Sequence, residues 1–168
     1  MPLPMLLNAH YNRSMPPSIQ QHAVTVAREA GEEFFRYVSA MPAERLEWQP
    51  LESGQTAMRM CREIAVTPLW ALSAMGALEG EAQDWPTLMG AWKALGDCRM
   101  AFDLNFARWA EYVLAMPDEQ LSETKWLPFN GGREHTYLEL LEYPRWNSTY
   151  HLGQVAYIQT LYGDRDIH

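Results

Sequence analysis

The chain has 168 residues, 48% of them hydrophobic, with 7 Trp and 8 Tyr, which is long enough for one domain with its own core and too aromatic for a disordered chain. Lys and Arg number 13 against 21 Asp and Glu, for a net charge of −8. An acidic chain without a basic run is poorly made to hold a phosphate backbone, so nucleic acid is not an expected partner.

The two cysteines, Cys61 and Cys98, lack CxxC spacing and fall in different predicted helices, so they read as buried, reduced thiols and not as a disulfide scaffold or zinc knuckle. No positive charge precedes the short apolar run in MPLPMLLNAH, which argues against a secretory signal. The longest weakly polar run, Pro68 to Leu78, is too short to cross a bilayer. The expectation is a cytoplasmic protein without a membrane partner, with residues 1–168 forming one domain.

Residues 1–17 carry four prolines and read as an extended lead-in. Ser18 with Gln21 resembles a capping box, and Ile19, Ala23, Val26, Ala30, Phe34, Tyr37 and Met41 follow in steps of three and four. That spacing predicts a long first helix ending at Pro42, with Gly31 inside it as a point of close packing. A connector with a helical turn at Ala43 to Leu46 passes Pro50 and Gly54 to a second helix, from Ser53–Thr56 to about Met75. Its seam, Thr56, Met60, Glu63, Thr67, Trp70 and Ala74, holds a carboxylate where a bundle would place an apolar residue. Pro68 is expected to kink it.

Thr87 is the expected cap of a third helix, on which Leu88, Trp92, Leu95, Arg99, Phe102, Phe106, Trp109, Val113 and Met116 form one stripe. Pro117 ends it, and Asp118 to Leu121 add a turn. Asn130-Gly131-Gly132 predicts a tight turn in a loop or small hairpin over residues 123–135. The fourth helix starts near Thr136, passes through Pro144 as a second kink, and stops at Gly163.

On this last helix Leu140, Pro144, Asn147, His151, Gln154, Ile158 and Leu161 share one stripe, so three polar residues interrupt an apolar seam. Asn147 and His151 are one turn apart, a spacing that suits two ligands of one metal ion or two hydrogen-bonding groups in one pocket. A lone histidine on such a face is more often a core residue satisfied by one hydrogen bond, but three polar groups together each need a partner. Trp70, Trp109, Trp146 and Tyr150 can wall a pocket or simply pack. His22 is expected to be exposed or half-buried, His135 to fold over the bundle mouth, and His10 and His168 to lie outside any site.

Four amphipathic helices, a polar group on the inner seam of the second and a pair on that of the fourth, and the words LEWQP, LPF and YHLGQVAYIQTLYGD together resemble the DinB/YfiT-like superfamily. The resemblance implies an all-α four-helix bundle in up-down-down-up order, homodimeric, of a group named for damage-inducible proteins. It also implies a divalent metal held by three histidines, one from the second helix and two from the fourth. This sequence has Glu63, Asn147 and His151 at those places, so only His151 keeps the residue type. The implied metal ligands are thus Glu63, Asn147 and His151, for zinc, nickel, manganese or iron.

Glu63 and His151 are then the implied catalytic pair of a metal-dependent hydrolase or a thiol-dependent transferase acting on a small molecule. Two readings stay open beside it. The site can lack a metal: Glu63 then accepts hydrogen bonds from His151 and Asn147, or burial raises its pKa and makes it a general base. Alternatively the chain is a non-catalytic small-molecule-binding or stress-response bundle with a vestigial site. No nucleophile elbow, phosphate loop or Rossmann glycine pattern supports another chemistry.

Overall fold

The computed structural model describes residues 16–168 apart from 80 and 82, so the expected N-terminal lead-in falls almost entirely outside the described residues. Helix α1 (Ile19–Ser39) opens with the anticipated capping box: the Ser18 hydroxyl accepts the Gln21 N–H, and the Gln21 side chain accepts the Ser18 N–H at 2.9 Å. Thr56 caps α2 (Ala57–Ala74), and Thr136 with Glu139 forms a second capping box at the start of α5 (Tyr137–Leu161). Both α2 and α5 continue through a proline, Pro68 and Pro144, and each proline withholds one N–H from the helical ladder.

The single third helix expected from Thr87 to Met116 is two helices, α3 (Trp85–Ala91) and α4 (Leu95–Leu114). Asp84, not Thr87, caps α3. The chain is extended at Trp92 and Ala94, and Asp97 stabilises the break by accepting the N–H groups of Lys93 and Ala94, both at 2.9 Å. Arg62 of α2 donates to the freed carbonyl of Trp92 at 2.9 Å. The apolar stripe keeps its phase across the break: Phe102, Phe106, Trp109, Val113 and Met116 are buried, while Leu88, Trp92 and Leu95 are half-buried. Periodicity alone therefore gives no sign of the interruption.

A 3-10 turn at Asp118–Ser122 leads into a hairpin of β1 (Thr124–Leu127) and β2 (Arg133–Thr136), paired antiparallel from Thr124↔Thr136 to Leu127↔Arg133. Its turn uses Gly131 and Gly132 at φ 88° and 75°, a region that favours glycine. The reading of a small hairpin at this place agrees with the structure.

Side-chain bridges fix the directions of the long helices. Arg28 meets Asp103 and Arg99 meets Glu32, so α1 and α4 are antiparallel. Gln159 donates to the Tyr37 carbonyl, which brings the C-terminal ends of α1 and α5 together and makes them parallel. Arg62 reaches Trp92 and Asn105 reaches the Ala65 carbonyl, so α2 and α4 run the same way. The order is up-down-down-up around a core of Phe34, Phe35, Ile64, Leu72, Phe102, Trp109, Leu140 and Leu141. Among the described residues no helix is long and apolar enough to cross a membrane.

Gly31 of α1 packs against α4, where a Cβ would run into the ring of Phe102. Gly31→Ala is expected to lower stability in urea unfolding by about 1–3 kcal/mol through overpacking, although alanine is the better helix former. Gly96→Ala, where an added Cβ meets nothing within 4 Å, is expected to raise it by up to about 1 kcal/mol.

Candidate functional site

Helices α2 and α5 lie side by side in opposite directions, so one turn of each faces one turn of the other. Trp70 stacks near Tyr143 with ring centroids 4.4 Å apart, Thr67 faces Asn147, and Glu63 faces His151. Oε2 of Glu63 lies 3.1 Å from Nε2 of His151, which is 3% exposed. The other carboxylate oxygen, Oε1, accepts from Nε of Arg59 and Nε2 of Gln55, both at 3.2 Å. On the far side of the imidazole, Nδ1 sits 2.7 Å from Oε1 of Gln154, three residues further along α5. The Thr67 hydroxyl donates to the Glu63 carbonyl at 2.7 Å and lies 3.2 Å from Oδ1 of Asn147. No direct hydrogen bond joins Asn147 to Glu63 or His151 among the described residues.

The electrostatics of Glu63 correct one expectation. Burial does push its carboxyl upward, but the hydrogen bond and attraction of His151, followed by those of Arg59, outweigh it and hold the group below the usual carboxylate range. Glu63 is therefore a stable anion and a weak base, which does not fit the general-base role conditional on a raised pKa. The cysteines offer no alternative nucleophile. Burial pushes the Cys98 thiol up to about 11 and the Cys61 thiol higher still.

A metal ion of the kind the resemblance implies has a donor set here that can be tested on distance. Two ligand atoms about 2.1 Å from a common ion stand roughly 3.0–3.4 Å apart at octahedral to tetrahedral angles, and Oε2 of Glu63 and Nε2 of His151 match at 3.1 Å. The second ring nitrogen faces a carbonyl-type oxygen, as metal-bound imidazoles generally arrange it. The third donor is the weak one. No group of three or more His, Cys, Asp or Glu side chains suited to an ion occurs among the described residues, and the third place implied by the resemblance is the neutral amide of Asn147. Two of the three implied donors thus match a common ion on distance, while Asn147 contacts Thr67.

Sequence reasoning placed Glu63, Asn147, His151 and Gln154 on the seams of two helices, and the structure brings the first and third into contact. It assigned no part to Gln55, Arg59 or Tyr143. Arg59 was legible as an opposite charge four residues from Glu63. Gln55 lies in the connector before α2, where no periodicity points inward. A pocket of about 130 Å³ lined in part by Gln55 and Gln154 adjoins the pair. Of the aromatic residues considered as pocket walls, Trp109 is instead fully buried core, while Trp146 and Tyr150 are more than half exposed. His22 is exposed, His135 is buried, and His168 lies 3.0 Å from Asp164.

An up-down-down-up bundle of four long helices defines the class of fold. Within it the chain is similar to YfiT from Bacillus subtilis, described as a probable metal-dependent hydrolase with an unusual four-helix bundle topology. The two align with a TM-score of 0.68 and 15% sequence identity, covering 91% of this chain and 94% of that one. A conserved protein from Enterococcus faecalis aligns with a TM-score of 0.66 and 17% identity, covering 87% of this chain and 98% of that one. At these identities the likeness establishes a shared fold, the DinB/YfiT-type bundle. No family model matches the sequence, and no match was found among the curated proteins.

The depressed pKa of Glu63 has a signed consequence. The stability it contributes is in place above its ordinary pKa of 4.5 and is lost as pH falls through the lowered folded value. In metal-free protein, carbon-13 NMR of the carboxyl is expected to give a midpoint below 4.5 in the wild type and a higher one in His151→Ala, where burial persists and the compensating bond is gone.

Proposed function

We propose that this protein is a small-molecule hydrolase in which Glu63, His151 and Asn147 hold a divalent metal ion. The carrying observation is the 3.1 Å contact of Glu63 Oε2 with His151 Nε2, with the opposite ring nitrogen turned onto Gln154. A bound ion would supply an acidified water and a Lewis acid for the scissile group. Gln154 fixes the imidazole by accepting from Nδ1–H, which leaves the Nε2 lone pair directed toward the Glu63 side. Arg59 and Gln55 occupy the outer oxygen of Glu63, so the inner one is presented to the centre as an anion. Thr67 positions Asn147 one turn away. The near-complete burial of His151 keeps bulk water from competing.

A second reading is favoured by a specific feature: both nitrogens of His151 lie within hydrogen-bond distance of side-chain oxygens. An imidazole that donates from both nitrogens has no lone pair for a metal, and the bundle then binds a small molecule through a Glu63–His151 ion pair without hydrolysing it. A homodimer is the working unit under either reading; its support is the sequence resemblance, and sedimentation velocity checks it.

Elemental analysis of protein purified without chelator separates the two. The hydrolase reading expects close to one divalent ion per chain, lost in Glu63→Ala and His151→Ala and weakened in Asn147→Ala. Metal-free wild-type protein that is destabilised by His151→Leu, which strands the Glu63 carboxylate, and recovers in the double variant Glu63→Leu/His151→Leu would favour the ion-pair reading, because removing one partner of a buried pair is costly while replacing both with apolar residues is often neutral or stabilising.

A further inference from the structure

A cavity of about 410 Å³ lies against the first turns of α5 and the hairpin, and neither Glu63 nor His151 lines it. Its walls include the rings of Phe129, Tyr143 and Trp146, together with His135. These rings belong to one continuous chain of contacts. Trp70 joins Phe129 at 5.4 Å to Tyr143 at 4.4 Å, Tyr143 lies 5.6 Å from Trp146, and the His135 ring is 4.8 Å from Phe129. Trp146 also stacks on Tyr150 at 5.4 Å and is nonetheless 55% exposed, so part of its ring remains without a protein partner. His135 is 7% exposed, and its Nε2 has no hydrogen-bond partner among the described residues. A buried nitrogen left unpaired is a cost that a polar atom of a bound molecule can remove.

Charge narrows the occupant. Arg133 and Glu139 pair with one another at 2.9 Å and cancel. Glu142 is the remaining charged residue of the wall; its partner Arg145, 3.4 Å away, is not part of the lining, so the lining itself carries one net negative charge. The volume accommodates one or two fused rings, and pockets of this size bind mainly through apolar and aromatic contact with a few polar anchors.

We propose that this cavity binds a planar aromatic molecule, neutral or singly cationic, stacked against Trp146 and Tyr143 with a polar atom satisfying His135. The site is independent of the metal reading. NMR titration of the whole chain, followed at the Trp indole N–H signals, tests it with three probes that share one ring system: indole, tryptamine and indole-3-acetate. Indole and tryptamine are expected to shift the Trp70 and Trp146 signals saturably, with indole-3-acetate at least about fivefold weaker. Trp146→Ala should weaken tryptamine binding by about tenfold, the loss of a stacking partner and its buried area. Glu142→Gln should narrow the gap between tryptamine and indole-3-acetate. Binding that persists in Glu63→Gln, with the hydrolase centre disabled, shows that the two readings fail separately, whereas binding lost there overturns the independence claimed for this site. The proposal is also overturned if all three probes bind alike, if the exposed Trp126 responds as strongly as Trp146, or if neither substitution at Trp146 or Glu142 changes the titration.

Discussion

Glu63 and His151 are held in contact across the α2–α5 interface, and the neighbouring polar groups are arranged around that contact. A half-buried carboxylate and a buried imidazole are each costly in an apolar bundle, and each becomes tolerable when the other supplies its partner. The antiparallel packing of two long helices places them level. The arrangement then repeats along the interface, with Thr67 opposite Asn147 and Trp70 opposite Tyr143. Polar matching in the middle passes into aromatic stacking toward the N-terminal end of α5.

The surroundings divide the two partners' roles. Arg59 and Gln55 draw the outer oxygen of Glu63 toward the protein surface, and the resulting anion is stabilised against the burial that opposes it. Gln154 takes the remaining nitrogen of His151. An ion can enter such a centre only by replacing the direct carboxylate–imidazole bond, so metal affinity and the strength of that bond are opposed.

Much of the architecture was legible because each signal was local and redundant. Ser18 with Gln21, Pro42, the glycine pair at 131 and 132, Thr136 and Gly163 mark element boundaries by backbone chemistry that tertiary packing had no reason to override. The split between α3 and α4 was not legible, since its apolar stripe stays in phase and the decisive contacts come from Asp97 and from Arg62 on another helix. The site divides the same way. Glu63, Asn147 and His151 stood out as polar residues on apolar seams. Gln55 and the cavity by the hairpin depend on how loops fold back, and no spacing rule reports that. The sign of the Glu63 shift was equally hidden, because burial and partners act in opposite directions and only the partners' distances decide between them.

Pro68 and Pro144 belong to the same register. With Thr67 level with Asn147 and Trp70 level with Tyr143, the two prolines stand at nearly one height, the turn next to the carboxylate and imidazole. Each removes a rung from its own helix, so the paired rods are least stiff against bending at a common cross-section. The hydrogen-bond ladder is thus interrupted in both helices on the side of the charged centre that leads to the aromatic contacts.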